Sequence, residues 1–579
     1  MKRSVCQCVT WVVCCWVASL PAISFADEPA DTLLRGGRIV TVDSDFRVVQ
    51  AMAIRDRRIV AVGDDDDQMR EWIGPRTEVI DLDGRMVLPG LIDSHTHPTG
   101  ASLFEADHEI PQMDTIADVL SYVRRRAAVV PPGDWIKLSQ IFITRLREQR
   151  YPTRDELDDA APNHPVLFRT GPDGSANSLA LKRNGIDKEF AGEHPQNVMV
   201  DPQTGEPNGI LRDIGAVIRA VPDTGQAGLA SEARDERLIE LFDDYNRSGL
   251  TAVIDRNCSD AARNQYGRLL RDGRLTIRIG MSRSLNPRED IEQRLDVIAK
   301  DPLFQNPDPL LRVVGVKCFQ DGGMLTGSAF FNRPWGVSTI YGIDDPLYRG
   351  MQYIQTERLE KMVDASVRRG LAFTAHCQGD AAVEALVRVY DRVNQDVPVA
   401  PTHSSITHSS FMTERAIADA ARIGVGVDLQ PAWLYLDART LVQQFGIERL
   451  EYFIPLRSLM EAGVVAGGGS DHMQKIGSLR SVNPYNPFLG MWIALTRAAR
   501  WYDQPVHPEQ ALSREQMIRF YTINNAWLMR MESEIGSLEL GKRADFIVID
   551  RDLLTCDADE VRSTRVLSTW LDGRRQTRP

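Results

Sequence analysis

The sequence predicts an α/β protein: a (β/α)8 TIM-type barrel, with a small β-sandwich domain formed by both chain ends and an insertion subdomain after the first barrel strand. Three observations predict it. Short apolar runs alternate with helix-like segments through the middle of the chain, the pattern of parallel strands joined by crossovers. Eight such runs end at Asp93, Asp255, Met281, Lys317, His376, His408, Gln430 and Ser470, the number a closed barrel needs. Alternating strand-like segments stand at both ends and enclose that middle.

The elements follow in chain order. Lys2 and Arg3 form a basic start, residues 9–20 are apolar, and Ser24-Phe25-Ala26 supplies small residues before a cleavage point. The apolar stretch is shorter than the roughly 20 residues a bilayer requires. Residues 1–26 therefore read as a cleaved secretory signal, and the mature chain is expected to be secreted or periplasmic, starting at Asp27. Residues 31–88 carry one part of the sandwich, with strands over 37–42, 51–54 and 58–62. The acidic run from Asp64 to Asp67 lacks the spacing of an EF-hand and reads as a solvated turn. The barrel occupies 89–530. Its first two strands stand too far apart for one crossover helix, which places an inserted subdomain at about 103–221, over the barrel mouth. Residues 531–579 return to the sandwich through strands over 544–549 and 566–571.

Composition narrows the function. Hydrophobic residues make up 43% and charged residues 26%, as in ordinary globular proteins. A formal charge of −12 with no basic stripe argues against a nucleic-acid partner. No segment after the signal reads as a membrane helix. Four of the eight cysteines fall in the signal; Cys258, Cys318, Cys377 and Cys556 are scattered and form neither a disulfide framework nor a zinc ribbon. Buried free thiols are expected, with a Cys318–Cys377 disulfide as the alternative. There is no P-loop, no dinucleotide fingerprint and no G-x-S-x-G elbow.

The chemistry-bearing residues gather at strand ends. His95 and His97 follow the apolar run 87–93, and positions two apart on a strand project to one side. Alone this is a weak signal. It gains weight from Lys317, His376, His408 and Asp471, each standing where another apolar run stops, because barrel enzymes place their chemistry on the C-terminal rim. Six metal- or base-competent groups on five strand ends point to a metal site. Trp433 and Tyr435 after the run ending at Gln430, Trp335 in a loop, and His472 beside Asp471 are candidates for contacting a substrate.

The motifs Val87-Leu88-Pro89-Gly90-Leu91-Ile92-Asp93-Ser94-His95-Thr96-His97, Val316-Lys317-Cys318-Phe319-Gln320-Asp321-Gly322, Ala375-His376-Cys377-Gln378-Gly379-Asp380 and Gly469-Ser470-Asp471 resemble those of the amidohydrolase superfamily, and within it amidohydrolase family 3. The closing stretch 535–546 is similar too. The resemblance covers about 37–573. It implies that His95 and His97 bind a first divalent metal and that His376 and His408 bind a second. It further implies that an N-carboxylated Lys317 bridges the two, and that Asp471 serves as metal ligand and general base. Zinc, one or two ions per chain, is the expected metal for such ligands. Burial frees a lysine amine to take up CO2. Two departures stand out. Ser175 follows Asp173-Gly174 where the family often shows histidine, and His403-Ser404-Ser405-Ile406-Thr407-His408 lacks an arginine and a glutamate common in that motif.

These readings lead to an exported metal-dependent hydrolase of a non-peptide carbon–nitrogen bond in a small molecule: an amide, an N-acyl or N-formyl amine, a cyclic amide or an amidine. The alternatives are a lactonase or esterase on the same site, and a non-catalytic exported barrel that binds metal or ligand. A homodimer is compatible with this type of barrel.

Overall fold

The computed structural model describes residues 28–64, 69–171, 173–219 and 229–576. The signal segment 1–26, its cleavage point and Asp65 to Asp67 of the acidic run lie outside the described residues.

Eight parallel strands form the central barrel: β1 (Leu91–Thr96), β2 (Leu250–Cys258), β3 (Arg278–Ser284), β4 (Leu311–Phe319), β5 (Ala372–Cys377), β6 (Ser405–His408), β7 (Gly426–Leu429) and β8 (Ala466–Gly468). They are hydrogen-bonded in sequence order from β1 to β8. The two ends of that series meet just beyond the strands. The Asp471 amide donates to the His95 carbonyl at 2.8 Å, and the His97 amide donates to the His472 carbonyl at 2.8 Å. Asp93 Oδ1 also accepts from the amides of His95 (2.9 Å) and Ser470 (3.0 Å). Gly469 permits this closure: a Cβ there would stand 2.8 Å from the His95 nitrogen, closer than side-chain carbons tolerate. The strands are buried on both faces, which is why they read as continuous apolar runs rather than alternating ones.

Both chain ends build the flanking β-structure. A four-stranded sheet orders Arg58–Gly63, Ala51–Arg55, Thr32–Arg35 and Glu78–Asp81. In the second sheet, Met86–Pro89 lies between Arg38–Val40 and the C-terminal strand Phe546–Ile549, which pairs in turn with Val566–Leu571. Leu34, Ile39, Met52, Ile59, Val87, Phe546 and Trp570 share one core between the sheets. Arg278 on β3 ties this unit to the barrel. It is fully buried, gives a two-pronged bond to Asp545 (2.6 and 2.8 Å) and reaches Asp572 at 2.6 Å.

The long interval between β1 and β2 carries its own five-stranded mixed sheet, ordered Val198–Val200, Pro207–Leu211, Asp173–Ala176, Val166–Thr170 and Ile136–Ser139. Helix Ile116–Ala127 of this subdomain starts with a reciprocal cap between Thr115 and Asp118. Cys258, Cys318 and Cys377 are buried free thiols, and Cys556 is a partly buried one. The Cys318–Cys377 disulfide is therefore not formed. Among the described residues no helix is long and apolar enough to cross a membrane.

Candidate metal and catalytic site

Five of the eight strands deliver polar groups to a common point. β1 brings His95 and, just after it, His97; β4 brings Lys317; β5 brings His376; β6 ends in His408; Asp471 follows β8. The ring of His408 lies 4.8 Å from that of His95 and 4.5 Å from that of His376, and the rings of His95 and His97 are 5.2 Å apart. Asp471 Oδ1 stands 3.1 Å from His97 Nε2 and 3.3 Å from His95 Nε2. His408 (φ 73°) and Asp471 (φ 55°) both occupy the left-handed region, which non-glycine residues rarely adopt and which concentrates at functional sites.

The hydrogen bonds settle which ring nitrogens stay free. His95 Nδ1 donates to Asp428 Oδ1 at 2.9 Å, so its Nε2 keeps the lone pair; that nitrogen is buried and makes no hydrogen bond. His408 Nδ1 donates to Gln430 Oε1 at 2.7 Å, again leaving Nε2 free. His376 Nε2 faces the Gly322 carbonyl at 3.3 Å, which leaves its Nδ1. Burial, reinforced by Lys317 and neighbouring histidines, holds His95 and His408 well below the usual imidazole range. Burial followed by Lys317 takes His376 down to about 3. These three rings are thus neutral at physiological pH, the form that ligates metals. Burial also lowers Lys317 to about 8, against the opposing pull of Asp471 and Asp428.

The donor set fits a divalent metal. Candidate ligand atoms of His95, His97 and Asp471 lie within 4.8 Å of one another. Asp428 is also close to His95 and His408, but its oxygens are spent. Oδ1 accepts from His95 and Gln430, and Oδ2 accepts from Thr407 at 3.0 Å and faces Arg256 at 3.3 Å. It orients a ligand rather than acting as one.

Asp428 is one of three supporting residues that sequence reading missed. The second is Asp255, whose Oδ1 lies 3.9 Å from His97 Nδ1 and whose Oδ2 accepts from Tyr266 at 2.8 Å; burial lifts its carboxyl to about 6. The third is Asn483, whose Nδ2 donates to the Asp471 carbonyl at 2.7 Å and lies 3.5 Å from Asp471 Oδ2. Arg145 of the insertion donates to Asn483 Oδ1 at 2.8 Å and is itself held by Asp437 at 2.9 and 3.0 Å. An acid inside the apolar stretch Val425-Gly426-Val427-Asp428-Leu429 was the available signal for the first.

A cavity of about 510 Å³ opens over these groups. The barrel lines it with His97, Lys317, Phe319, His376, His408, Trp433, Asp471 and Met473; the insertion adds Gln140, Phe142, Arg169 and Gly171. Trp433 stacks on His408 at 4.9 Å. The other three substrate-contact candidates do not line this cavity. Trp433 and Tyr435 sit on helix Pro431–Phe445, where two residues turn the side chain by about 200°, and Tyr435 borders a separate pocket of about 220 Å³ instead. Trp335 is buried against Phe331, Tyr341 and Phe445, with Nε1 donating to the Ala329 carbonyl at 2.8 Å. His472 is fully buried and faces away from the cavity: its Nδ1 meets the Tyr245 hydroxyl at 2.7 Å, while Nε2 donates to the carbonyls of Gln474 and Lys475. Ser175 lies buried in the inserted sheet.

Comparison with known proteins agrees with this geometry. The chain is 27% identical over 559 residues to the N-substituted formamide deformylase of Arthrobacter pascens, covering 94% of this chain and 97% of that one. Its fold is similar to an uncharacterized metal-dependent hydrolase from Pyrococcus furiosus (TM-score 0.64, 21% identity, 90% of this chain and 100% of the other). It is also similar to the atrazine chlorohydrolase of Arthrobacter aurescens TC1, solved in complex with zinc (TM-score 0.51, 18% identity, 94% of each chain). The sequence profile of the amidohydrolase family matches residues 78–576, spanning the barrel and the C-terminal part of the flanking sheets. On that match the chain belongs to the amidohydrolase family of metal-dependent hydrolases.

Proposed function

We propose that the protein is an exported hydrolase that cuts a non-peptide carbon–nitrogen bond in a small organic substrate, with N-formyl and N-acyl amines first among the candidates. The observation that carries this reading is the placement of Asp471: one carboxylate oxygen stands 3.1 Å from His97 Nε2 and 3.3 Å from His95 Nε2 at the wall of an open cavity. The full-length relative named as a formamide deformylase supports the choice of bond.

His95, His97 and Asp471 would hold one divalent ion, and His376, His408 and Lys317 as its carbamate a second, with zinc the expected metal. Such ions supply a water acidic enough to ionise near neutral pH and polarise the carbonyl under attack. Asp471 would accept a proton from the attacking water and return it to the leaving nitrogen. Asn483 and the His95 carbonyl hold Asp471 in its left-handed conformation, so the carboxylate keeps its aim through both transfers. Asp428 keeps His95 in one tautomer and orientation, and Asp255 places a carboxylate 3.9 Å from His97 Nδ1. Trp433, Phe142 and Met473 give the cavity an apolar wall.

The decisive experiment measures metal by plasma mass spectrometry before and after chelation, alongside rates on matched N-formylamine, amide and lactone panels. About two zinc ions per chain, with chelator-sensitive and zinc-restored cleavage of the C–N panel, is the expected result. Faster lactone cleavage would move the reading to a lactonase. Full function in Asp471→Asn would leave only a binding protein. Export rests on the basic start, short apolar stretch and Ser24-Phe25-Ala26 of the leader. An intact mass beginning at Asp27 in the exported fraction tests it.

A further inference from the structure

Arg169 differs from the inserted-subdomain arginines that hold carboxylates. Arg145, Arg150 and Arg212 each hold a carboxylate, on Asp437, Glu156 and Asp173 respectively. Arg169 sits on the strand Val166–Thr170 and lines the catalytic cavity, and among the described residues no carboxylate pairs with it. Its Nε donates to the Gly171 carbonyl at 3.0 Å, which fixes the guanidinium plane and leaves the two terminal nitrogens for another partner. The two carboxylates that line the same cavity are committed elsewhere. Asp321 accepts from the amides of Phe330, Gln378 and Gly379 at 2.9 to 3.0 Å, and Asp471 faces His95 and His97.

A second unspent group stands beside it. Arg169 pairs in register with Ser139 on the neighbouring strand, so the next residue, Gln140, lies at the same sheet edge and lines the same cavity. Gln140 Oε1 is buried without a hydrogen-bond partner, and its backbone holds the left-handed φ of 59°. An unsatisfied amide oxygen and a guanidinium with two free nitrogens, lining one cavity, pair an acceptor with a donor in a built polar site. It belongs to the insertion, whereas the reacting groups belong to the barrel, so the two sites meet different parts of one molecule.

We propose that Arg169 binds a carboxylate of the substrate, with Gln140 Oε1 beside it left to accept an N–H of the same molecule. The substrate class is then N-formyl or N-acyl amines that carry a carboxylate, of which N-acylated amino acids are the smallest. This rests on the carbon–nitrogen hydrolase reading above. The guanidinium fork matches the two oxygens of a carboxylate, and a bidentate pair in a cavity shielded by Trp433 and Phe142 is stronger than one in open water. The contact lies away from the reacting carbonyl and acts by positioning the substrate, so its effect falls on kcat/KM.

The test uses the metal-loaded enzyme and two probe pairs. The first is N-formylphenylalanine against N-formyl-2-phenylethylamine, which differ by one carboxylate. Wild type is expected to favour the acid in kcat/KM by about tenfold to a hundredfold. Arg169→Gln should bring that ratio near one, Arg169→Lys should keep part of it, and Gln140→Leu should lower kcat/KM for both compounds alike and leave the ratio in place. The second pair, 3-phenylpropionate against 3-phenylpropanamide, is measured by calorimetry and needs no turnover. The acid should bind about tenfold tighter to wild type and lose that advantage in Arg169→Gln. A wild-type ratio near one in both pairs overturns the proposal without any variant. So does an acid preference that survives Arg169→Gln, because the carboxylate then sits on the metal. If neither formyl compound is cleaved, the carbon–nitrogen reading fails, while the calorimetric pair still decides the role of Arg169.

Discussion

Asp428 Oδ1 accepts the Nδ1 proton of His95 at 2.9 Å, and both side chains are fully buried. The bond presents His95 Nε2 to the site in one tautomer, and Thr407, Gln430 and Arg256 hold the carboxylate in place. Asp428→Ala should therefore weaken metal binding by about tenfold to a hundredfold, the range seen when an outer-shell partner of a ligand is lost. Competition with a fluorescent chelator measures this, and unchanged affinity would remove Asp428 from the site.

Asn483 should matter to rate more than to binding. It holds Asp471, whose φ of 55° is not one an aspartate keeps unaided. Asn483→Leu is expected to cut kcat by about ten- to a hundredfold, the cost of a carboxylate displaced by about 1 Å, with little change in KM. Steady-state kinetics with metal content held equal separates this from loss of the ion. An equal loss from Arg145→Met would show that the subdomain reaches the catalytic base through Asn483.

Trp433 stacks on His408 and walls the cavity, and its Nε1 is buried without a hydrogen-bond partner. Trp433→Ala should raise KM for aromatic substrates by about tenfold or more, since a stacked ring contributes on the order of 1 kcal/mol beyond the area it buries. Trp433→Phe keeps the stack and should lose only the share owed to the N–H. Tyr435→Phe should leave the same KM unaltered, because that ring lies on the other side of the helix.

Arg278 joins the barrel to the terminal sheets through Asp545 and Asp572. Arg278→Met strands the buried Asp545 carboxylate, while Asp572 keeps Arg543 at 3.0 Å, and should cost about 3–5 kcal/mol in urea unfolding. Replacing Asp545 as well, by leucine, should restore part of the loss. A cost below about 1 kcal/mol would mean that the ion pair adds no more than an exposed one does.

Much of the site was legible because each ligand candidate closes an apolar run. His95, Lys317, His376, His408 and Asp471 interrupt hydrophobic stretches at the point where a barrel strand must emerge, and the structure gathers the last four in one cavity wall with His95 buried against them. Asp255 and Asp428 also stand in strands, but a lone acid there carries no spacing that tells an orienting partner from a structural one. Asn483 lies in a loop with no pattern at all. Trp335 and His472 read as rim residues from their positions in the chain, yet one packs into an aromatic cluster and the other turns into the wall.

By itself the sequence determined the alternation of strand and helix, the eight strand ends and the chemical types standing on them, since these depend on local hydrophobic period and on residue identity. Only the tertiary structure decided which nitrogen of each histidine is free, which carboxylates support rather than ligate, and that Arg169 enters the catalytic cavity without a counter-ion. Those are properties of contacts between segments far apart in the chain, among them His95 with Asp428 and Asp471 with Asn483 and His97. No local period encodes such pairings; the closure of the barrel and the docking of the insertion create them.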